Sequence, residues 1–212
     1  LKNADFVLPE NLILFHARFP LAWRDKIEES VLRRFGKDGT HADRERAIVV
    51  ATQVIEQSLD LDFDLMISDL APIDLVLQRA GRLHRHAEHQ RPPRLAGEPR
   101  LLLASPELHA GAPVFGRDAI YEPYVLLRSY LALRGRERLT LPEETAALIE
   151  TVYGDESLTP GLTPALASTL RDFKQKMQRH EEGDVFKARQ KLIPPPQSDD
   201  LLGRRSLALR ED

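Results

Sequence analysis

Short runs of apolar residues recur along the first half of the chain, each bounded by polar or turn-forming residues. Four of these runs predict β-strands, at 12–16 (LILFH), 47–51 (AIVVA), 65–68 (LMIS) and 100–105 (RLLLAS). The runs are continuous rather than alternating, a pattern typical of strands buried on both faces of a parallel sheet. We therefore expect a sheet that is covered on both sides.

Helical spacing separates these strands. After Pro20, which the first turn of a helix tolerates, Ile27, Val31 and Phe35 follow at four-residue intervals. A second helix begins after Pro72, with an apolar face formed by Ile73, Val76, Leu77 and Ala80. Strands that alternate with amphipathic helices predict an α/β fold with right-handed crossovers and a parallel sheet.

The second half of the chain has a different character. After the Pro- and Gly-rich stretches at 90–99 and 111–116, the sequence predicts helices and no strand. They are expected at about 122–134, after a capping box formed by Thr140 and Glu143, and from Thr163 to the proline run at 194–196.

These patterns divide the chain into three parts. We expect an α/β domain at 1–110, an all-helical extension at 111–197 and a flexible tail at 198–212. With 212 residues the chain has room for one domain and a smaller appendage.

Composition narrows the classes of function. Of the residues, 42% are hydrophobic and 30% charged, as in ordinary globular proteins, and the formal net charge is -3. The chain has no cysteine, which excludes disulfides, zinc fingers and thiol catalysis. No apolar run is long enough for a membrane span, and no export signal precedes the first strand. Because the sequence opens with Leu1 rather than Met, we expect a piece of a larger protein. With neither a span nor an export signal in view, its expected location is the cytoplasm.

The segment 78–86 (QRAGRLHRH) concentrates positive charge. Arg79, Arg82 and Arg85 recur every three residues, so on a helix they would share one face, and Gly81 leaves room for a ligand to approach. Residues 78–100 contain six arginines and two glutamates, a local net charge of +4 in a chain that is negative overall. Rigidly presented guanidinium groups suit the γ-phosphate of a nucleotide.

The segment 49–60 (VVATQVIEQSLD) supplies polar groups at a strand end. Thr52 follows the second strand, where a hydroxyl and backbone N–H groups can grip a phosphate of a nucleic-acid strand. Asp60 can accept a hydrogen bond from a ribose hydroxyl. Taken alone, both residues are more readily explained as caps of a turn or a short helix.

Together the two segments resemble motifs V and VI of superfamily 2 helicases. The wider string at 49–86, the stretch 14–39 and the regions 120–131 and 141–154 resemble one family in particular. It is the CRISPR-associated helicase–nuclease that degrades DNA in type I antiviral defence. The resemblance covers most of residues 11–155 and implies a second RecA-like lobe, incomplete at its N-terminus, followed by a helical region.

The resemblance implies roles for individual residues. Arg82 and Arg85 match the arginine fingers for the ATP γ-phosphate. Gln78, Arg79 and Gly81 belong to the start of motif VI beside the nucleotide, and Asp60 matches the acidic residue of motif V. For the nucleic-acid strand, the matching residues are Thr52 in motif V and, in the motif IV region, His16 and Arg18.

The chain lacks other parts of such a motor. It contains no GxxxxGK[ST] phosphate loop, no DExH motif at a strand end and no His-Asp pair for a nuclease. The resemblance therefore implies that a missing first lobe binds most of the ATP and Mg, and that a nuclease domain is missing as well. We expect the isolated chain to be inactive, and its partners to be single-stranded DNA and the RNA-guided type I complex.

Two alternatives stay open at this point. The chain can be a non-catalytic module that docks on an RNA-guided complex, or a helicase lobe from a repair or RNA branch.

Other conspicuous residues have simpler interpretations. His84, His86 and His89 lack a partner carboxylate or cysteine in ligand spacing, so no metal site is predicted. Trp23 is expected to be a half-buried packing residue rather than a platform for a base. Solvent-exposed faces are expected for four other arginines: Arg33, Arg34, Arg44 and Arg46.

Overall fold

A computed structural model describes residues 11–56, 59–116, 120–154 and 161–191. The first half contains four short strands and three α-helices, and the second half is mainly helical. In chain order the elements are β1 (Leu12–Phe15), α1 (Leu21–Phe35), α2 (His41–Arg44), β2 (Ile48–Ala51), a 3₁₀ helix (Gln53–Glu56), β3 (Met66–Ser68), α3 (Ile73–Ala80), β4 (Leu101–Leu103), β5 (Leu108–His109), β6 (Ala112–Pro113), α4 (Pro123–Leu133), α5 (Thr145–Tyr153) and α6 (Pro164–Lys191).

Helix α1 forms where the four-residue spacing predicts it. Its buried residues Val31 and Phe35 pack with Leu61, which follows the 3₁₀ helix. Gly36 ends the helix, and a Cβ at this position would lie 2.4 Å from the carbonyl oxygen of Leu32. Only glycine fits this close approach, so the residue type at position 36 follows from the way the helix ends.

The four predicted strands are present and form parallel pairs. Strand β1 pairs with β2, from Leu12 opposite Ile48 to Phe15 opposite Ala51, and β3 pairs with β4. Within the described residues these pairs form two separate two-stranded sheets. The expectation of α/β architecture with parallel strands is confirmed in this form.

The expectation that the sheet is covered on both faces is wrong for the described part of the chain. Alternate strand residues are exposed, among them Leu12, Ile48, Val50 and Ile67, whose exposed fractions run from 44% to 74%. Helix α1 and its neighbours cover only the opposite face, where Ile13 and Val49 join the core. A continuous apolar run indicates a strand with apolar side chains on both faces. It does not indicate which segment, if any, covers each face.

The helical half packs on the α/β half through α3. Ile73 and Leu77 of α3 form a buried cluster with Leu148 and Val152 of α5. A second cluster joins Leu127 of α4 to Ala112 and Leu166. Helix α5 thus contacts the same helix that leads into the 78–86 segment.

Two local predictions for the second half are wrong. The antiparallel pair β5–β6 at 108–113 was not expected, because two-residue strands carry no periodic signal. The predicted capping box does not cap α5, since the Thr140 N–H donates to Glu144 at 2.8 Å and no side chain caps that helix. A reciprocal capping box instead joins Thr40 and Asp43 at α2.

The proline run at 194–196 and the tail at 198–212 lie outside the described residues. Within those described, no helix is both long and apolar enough to cross a membrane.

Candidate functional site: the arginine pocket and the strand end

The arginines of the 78–86 segment do not share a helix face, which corrects the expectation from their spacing. Helix α3 ends at Ala80, and Arg82 and Arg85 lie in the turn that follows. Leu83 forms a parallel bridge with Phe63. The carbonyl oxygen of Arg82 accepts the Phe63 N–H at 2.8 Å. The carbonyl oxygen of Phe63 accepts the His84 N–H at 3.1 Å.

The turn nevertheless brings most of the predicted nucleotide residues together. A pocket of about 310 Å³ is lined by Leu59, Asp60, Gln78, Gly81, Arg82 and Arg85. Five of the six residues assigned to the nucleotide therefore share one pocket, and Arg79 is the exception. Its volume is at the lower end of the range for small-molecule sites, of roughly 300–1,000 Å³.

Arg82 is the buried arginine of this pocket. Arg82 is 7% exposed, and its Nη1 donates to the carbonyl oxygen of Gln78 at 3.2 Å. Burial lowers the pKa of Arg82, and the charge of Arg85 lowers it further, while Glu56 raises it. A guanidinium stays protonated in proteins despite such a shift, so Arg82 brings a desolvated positive charge to the pocket wall.

Arg85 is the exposed partner and is held by Asp60. The Arg85 Nε lies 2.5 Å from Asp60 Oδ1, and both side chains are about half exposed. His86 Nε2 lies 3.3 Å from the same oxygen. Asp60 therefore fixes the direction of Arg85 while its carboxylate also lines the pocket.

Arg79 is the one motif VI candidate that does not line the pocket. Its Nη1 donates to Ser68 Oγ at 2.5 Å, and its other nitrogens form an ion pair with Glu56. The Tyr121 hydroxyl, at the start of the helical half, donates to the same carboxylate at 3.3 Å. Arg79 thus joins the 3₁₀ helix, β3 and the helical half.

A buried network of charges lies beside the pocket, and sequence reasoning missed it. The Asp62 carboxylate is fully buried and accepts hydrogen bonds from Arg44 at 3.1 Å, Arg91 at 2.8 Å and the backbone N–H of Arg85 at 2.9 Å. Asp64 pairs with the same two arginines, at 2.7 and 2.5 Å. The expectation that Arg44 lies on a solvated face is wrong, because Arg44 is buried and pairs with the buried Asp62 and the partly buried Asp64.

His89 closes this network. Its Nδ1 lies 2.5 Å from Asp62 Oδ2, and its Nε2 donates to the carbonyl oxygen of Lys37 at 2.9 Å. Burial by itself would raise the pKa of Asp62, but the hydrogen bonds from Arg91, His89 and Arg44 outweigh it and hold the pKa below its usual value. Asp62 is therefore ionised at neutral pH. The acidic alternation Asp60, Asp62, Asp64 was the available sequence signal for this network.

The three nucleic-acid candidates lie together at the carboxyl ends of β1 and β2. The Thr52 N–H donates to the carbonyl oxygen of Phe15 at 3.1 Å, and its Oγ1 accepts the Ala17 N–H at 3.0 Å. Thr52 thus joins two strand ends instead of capping the 3₁₀ helix with its side chain. His16 Nδ1 accepts the Arg18 N–H at 2.9 Å.

The pocket and this strand end occupy opposite ends of the β1–β2 pair. Because the two strands are parallel, α1 must return the chain to their amino ends. The last residue of α1, Phe35, accepts the Asp62 N–H at 2.8 Å, so the buried network and the adjoining pocket lie at that end. Thr52 follows the other end of β2.

Trp23 is 61% exposed, so its expected half-buried packing role is wrong. It lies in the first turn of α1, where its ring meets Phe19 edge-on at 6.3 Å. The later turns of the helix bury Val31 and Phe35 instead.

The three histidines at positions 84, 86 and 89 have separate partners. His84 Nε2 lies 3.1 Å from the Asp64 carbonyl oxygen, His86 faces Asp60, and His89 belongs to the buried network. In the ranges that the structure describes, no group of three or more metal-ligating side chains is placed to hold an ion.

Comparison with known proteins finds similarity to one family. Residues 1–88 match the family "CRISPR-associated nuclease/helicase Cas3, C-terminal". The chain is 49% identical over 172 residues to the CRISPR-associated endonuclease/helicase Cas3 of Thermus thermophilus. The matched region covers 79% of this chain and 18% of that protein. The Cas3 of Streptococcus thermophilus is 32% identical over 208 residues, covering 92% of this chain and 20% of that protein.

The chain is a homologue of the C-terminal region of Cas3. It spans about a fifth of the length of these Cas3 relatives. This confirms the resemblance read from the sequence.

Solved Cas3 structures share the fold. The structure of T. fusca Cas3 with ADP is 39% identical, with a TM-score of 0.71 over 86% of this chain and 20% of that one. A structure of a CRISPR RNA-guided surveillance complex in a pre-nicking state contains a chain that is 40% identical, with a TM-score of 0.70 over 91% of this chain and 22% of that one. The mixed α/β architecture with small parallel sheets and several helices is thus that of the Cas3 C-terminal region.

Proposed function

We propose that the chain is the second, RecA-like helicase lobe of a Cas3-type motor, with its helical extension. Residues 1–110 would form the lobe, and 111–197 the extension. In this proposal 49–60 and 78–86 act as motifs V and VI, and the motor hydrolyses ATP to move along single-stranded DNA in CRISPR defence. A cytoplasmic location follows from that role.

The observation that carries the proposal is the pocket at 59–85. The pocket contains Asp60 from one motif and Gln78, Arg82 and Arg85 from the other. Asp60 and Gln78 are 18 positions apart in the sequence. Two guanidinium groups on one pocket wall suit the charge that develops on a transferred phosphoryl group. Relatives solved with ADP, AMPPNP and ATP support a nucleotide as the ligand.

Within this half-site the residues take separate tasks. Arg82 presents a desolvated charge from the pocket wall, and Arg85 presents a half-exposed charge whose direction is set by its ion pair with Asp60. Gln78 and Gly81 line the space between them. Arg79 acts differently from the expectation, because its pairing with Glu56 and Tyr121 ties the motif VI helix to the helical half.

The pocket suits ATP better than its metal ion. Asp60 is its one carboxylate among the lining residues, and that carboxylate already contacts Arg85 and His86. Mg²⁺ prefers one or two carboxylates together with phosphate oxygens and water. We therefore assign the metal and most of the triphosphate to the first helicase lobe.

The opposite strand end is proposed to hold the DNA. The Thr52 hydroxyl lies where β1 and β2 end, and it can donate its hydrogen to a phosphate while its oxygen accepts the Ala17 N–H. Such contacts grip phosphates without reading bases, so binding would depend on salt and little on sequence.

The test is ATP hydrolysis stimulated by single-stranded DNA in the full-length protein that carries this chain. Arg82→Ala is expected to lower kcat by roughly 10³-fold or more, the size of effect that arginine fingers have elsewhere. Arg138→Ala is the matched control, because Arg138 is 72% exposed and pairs only with the exposed Glu98 among the described residues. Equal rates for Arg82→Ala and the control would refute the proposal. The isolated chain is expected to show no hydrolysis in the same assay.

The docking hypothesis keeps one supporting observation. A chain of the RNA-guided surveillance complex structure resembles 91% of this chain, including the helical half. We propose such a complex as a partner of the whole protein, together with the first lobe and the nuclease domain. A pull-down of the surveillance complex with full-length protein, with and without residues 164–191, tests whether α6 contributes. Equal capture by both forms would remove the helix from the interface.

A further inference from the structure

We infer that Asp62 is a positioning residue for the arginine pair of the pocket, and that Arg44, His89 and Arg91 hold it in place for that task. The inference rests on the proposed function, because it assigns a role in ATP hydrolysis to residues that do not line the pocket.

The first argument is the backbone connection. Arg85 donates its N–H to Asp62 Oδ1 at 2.9 Å, and the neighbouring Phe63 is bonded to Arg82 and His84 at 2.8 and 3.1 Å. Three hydrogen bonds therefore attach the turn that carries both arginines to residues 62–63. The position of each guanidinium follows from the position of this short segment.

The second argument is that Asp62 is itself fixed from several directions. Its N–H donates to the end of α1 at Phe35, and its carboxylate contacts Arg44 from α2 and Arg91 from the loop beyond motif VI. It is fully buried, and its ionised form is favoured by these partners. An ion in such surroundings has one low-energy position, because any displacement leaves a buried charge without its partner.

The third argument is the conformation of the turn. His84 has a φ of 51°, in the left-handed region that a residue with a side chain adopts only at a cost. The contact of its Nε2 with the Asp64 carbonyl oxygen and the bond of its N–H to Phe63 hold it there. The turn between the two arginines is therefore kept bent by contacts with residues 63 and 64, and by the network to which Asp64 belongs.

These contacts predict an effect on the chemical step more than on ATP binding. A guanidinium that stabilises a transition state must be placed precisely, and a shift of about 1 Å can cost 100-fold in rate. Asp62→Asn keeps the shape of the side chain but turns an amide NH₂ group or a neutral oxygen towards Arg44 and Arg91. We expect this variant to lower kcat of DNA-stimulated ATP hydrolysis by roughly 100-fold, and to change the KM for ATP by less than about threefold.

A double-mutant cycle in the full-length protein separates positioning from general destabilisation. If Asp62 acts through the arginines, Asp62→Asn lowers kcat by less than about threefold in an Arg82→Ala background, because residues that act as a unit are not additive. Arg128→Met is the matched control. Arg128 is also buried and bonds Tyr124, Thr151 and Gly154 in the helical half. Its effect on kcat, whatever its size, is expected to be the same in both backgrounds.

The outcomes distinguish the two proposals. If Arg82→Ala alone leaves kcat unchanged, the proposed function fails and the inference fails with it. If Arg82→Ala is impaired but Asp62→Asn has normal kcat, raises only KM, or multiplies with Arg82→Ala, the positioning role alone is overturned. Should Asp62→Asn not fold, Arg91→Lys replaces it in the same cycle, since lysine keeps the charge but cannot bridge Asp62 and Asp64 with a planar fork.

Discussion

The two ends of the β1–β2 pair are built in contrasting ways. At the amino end, Asp62 and Asp64 form ion pairs with both Arg44 and Arg91. The turn that carries the pocket arginines is hydrogen-bonded to that network through the Arg85 N–H. At the carboxyl end, Thr52 contributes two hydrogen bonds between strand ends, in exposed surroundings.

The contrast matches what each end is proposed to do. Stabilising the charge of a transition state needs donors that are already fixed before the reaction begins. Gripping a phosphate backbone needs polar groups that release and rebind as the strand moves, and here a few exposed hydrogen bonds suffice. Rigidity is therefore concentrated at one end of a small fold rather than spread through it.

The largest expected effect is loss of stability at the amino end. Asp62→Ala leaves Arg44 and Arg91 with one carboxylate fewer in a buried site, and removing one partner of such a network costs about 3–5 kcal/mol. We expect hydrogen exchange in the full-length protein to show protection of the Phe63, His84 and Arg85 amides reduced by roughly 100-fold or more, if these amides exchange through that opening. A reduction below about tenfold would mean that this end is no more tightly held than the other.

A change of pH should weaken the same end. The pKa of Asp62 is lower in the folded protein than its usual value of 3.8, so its ionised form adds stability that is complete above about pH 4 and is lost as the pH falls towards the folded-state pKa. The difference in Tm between wild type and Asp62→Asn is therefore expected to shrink below pH 4. A difference that stays constant from pH 6 to pH 3 would contradict the assignment.

At the carboxyl end the expected effect is smaller. Thr52→Ala removes the hydroxyl that is proposed to contact a DNA phosphate. One such hydrogen bond contributes about 1 kcal/mol, so affinity for single-stranded DNA should fall by roughly 3–10-fold. Fluorescence anisotropy with a labelled oligonucleotide measures it. Thr169→Ala is the control, because that hydroxyl bonds only its own helix at Ala165 among the described contacts. Equal affinities of the two variants would remove Thr52 from the DNA site.

The smallest effect is expected at an ion pair that belongs to neither end. Arg138 and Glu98 are 72% and 71% exposed, and pairs of this kind contribute less than about 1 kcal/mol. Arg138→Ala should leave Tm and ATP hydrolysis within error of wild type. A loss similar to that of Asp62→Ala would show that burial is not what separates the strong ion pairs of this protein from the weak ones.

Much of the site could be predicted from the sequence, because the resemblance to helicase motifs V and VI implied it. Asp60, Gln78, Arg82 and Arg85 converge as expected, yet the arginines do so from a turn instead of a helix face. A three-residue spacing fits a helix, but it cannot report that the helix ends at Ala80.

The buried network was beyond the reach of such patterns. Arg44 and Asp62 are 18 positions apart, and Arg44 and His89 are 45 apart, so no local periodicity joins them. Charged residues in a sequence are mostly exposed, and that tendency gave the wrong environment for Arg44. Likewise, the apolar runs at 12–16 and 47–51 predicted strands correctly but not the uncovered face.

That uncovered face has a practical consequence for anyone who handles this polypeptide by itself. The exposed face of the two-stranded β1–β2 sheet is apolar, and it consists of Leu12, Leu14, Ile48 and Val50. Two-stranded sheets have marginal stability in water. Exposed apolar surface of this kind favours association between copies. Aspartate or lysine at positions 12 and 48 should therefore improve yield and keep the material monodisperse on a sizing column, while leaving the buried side of the ribbon untouched.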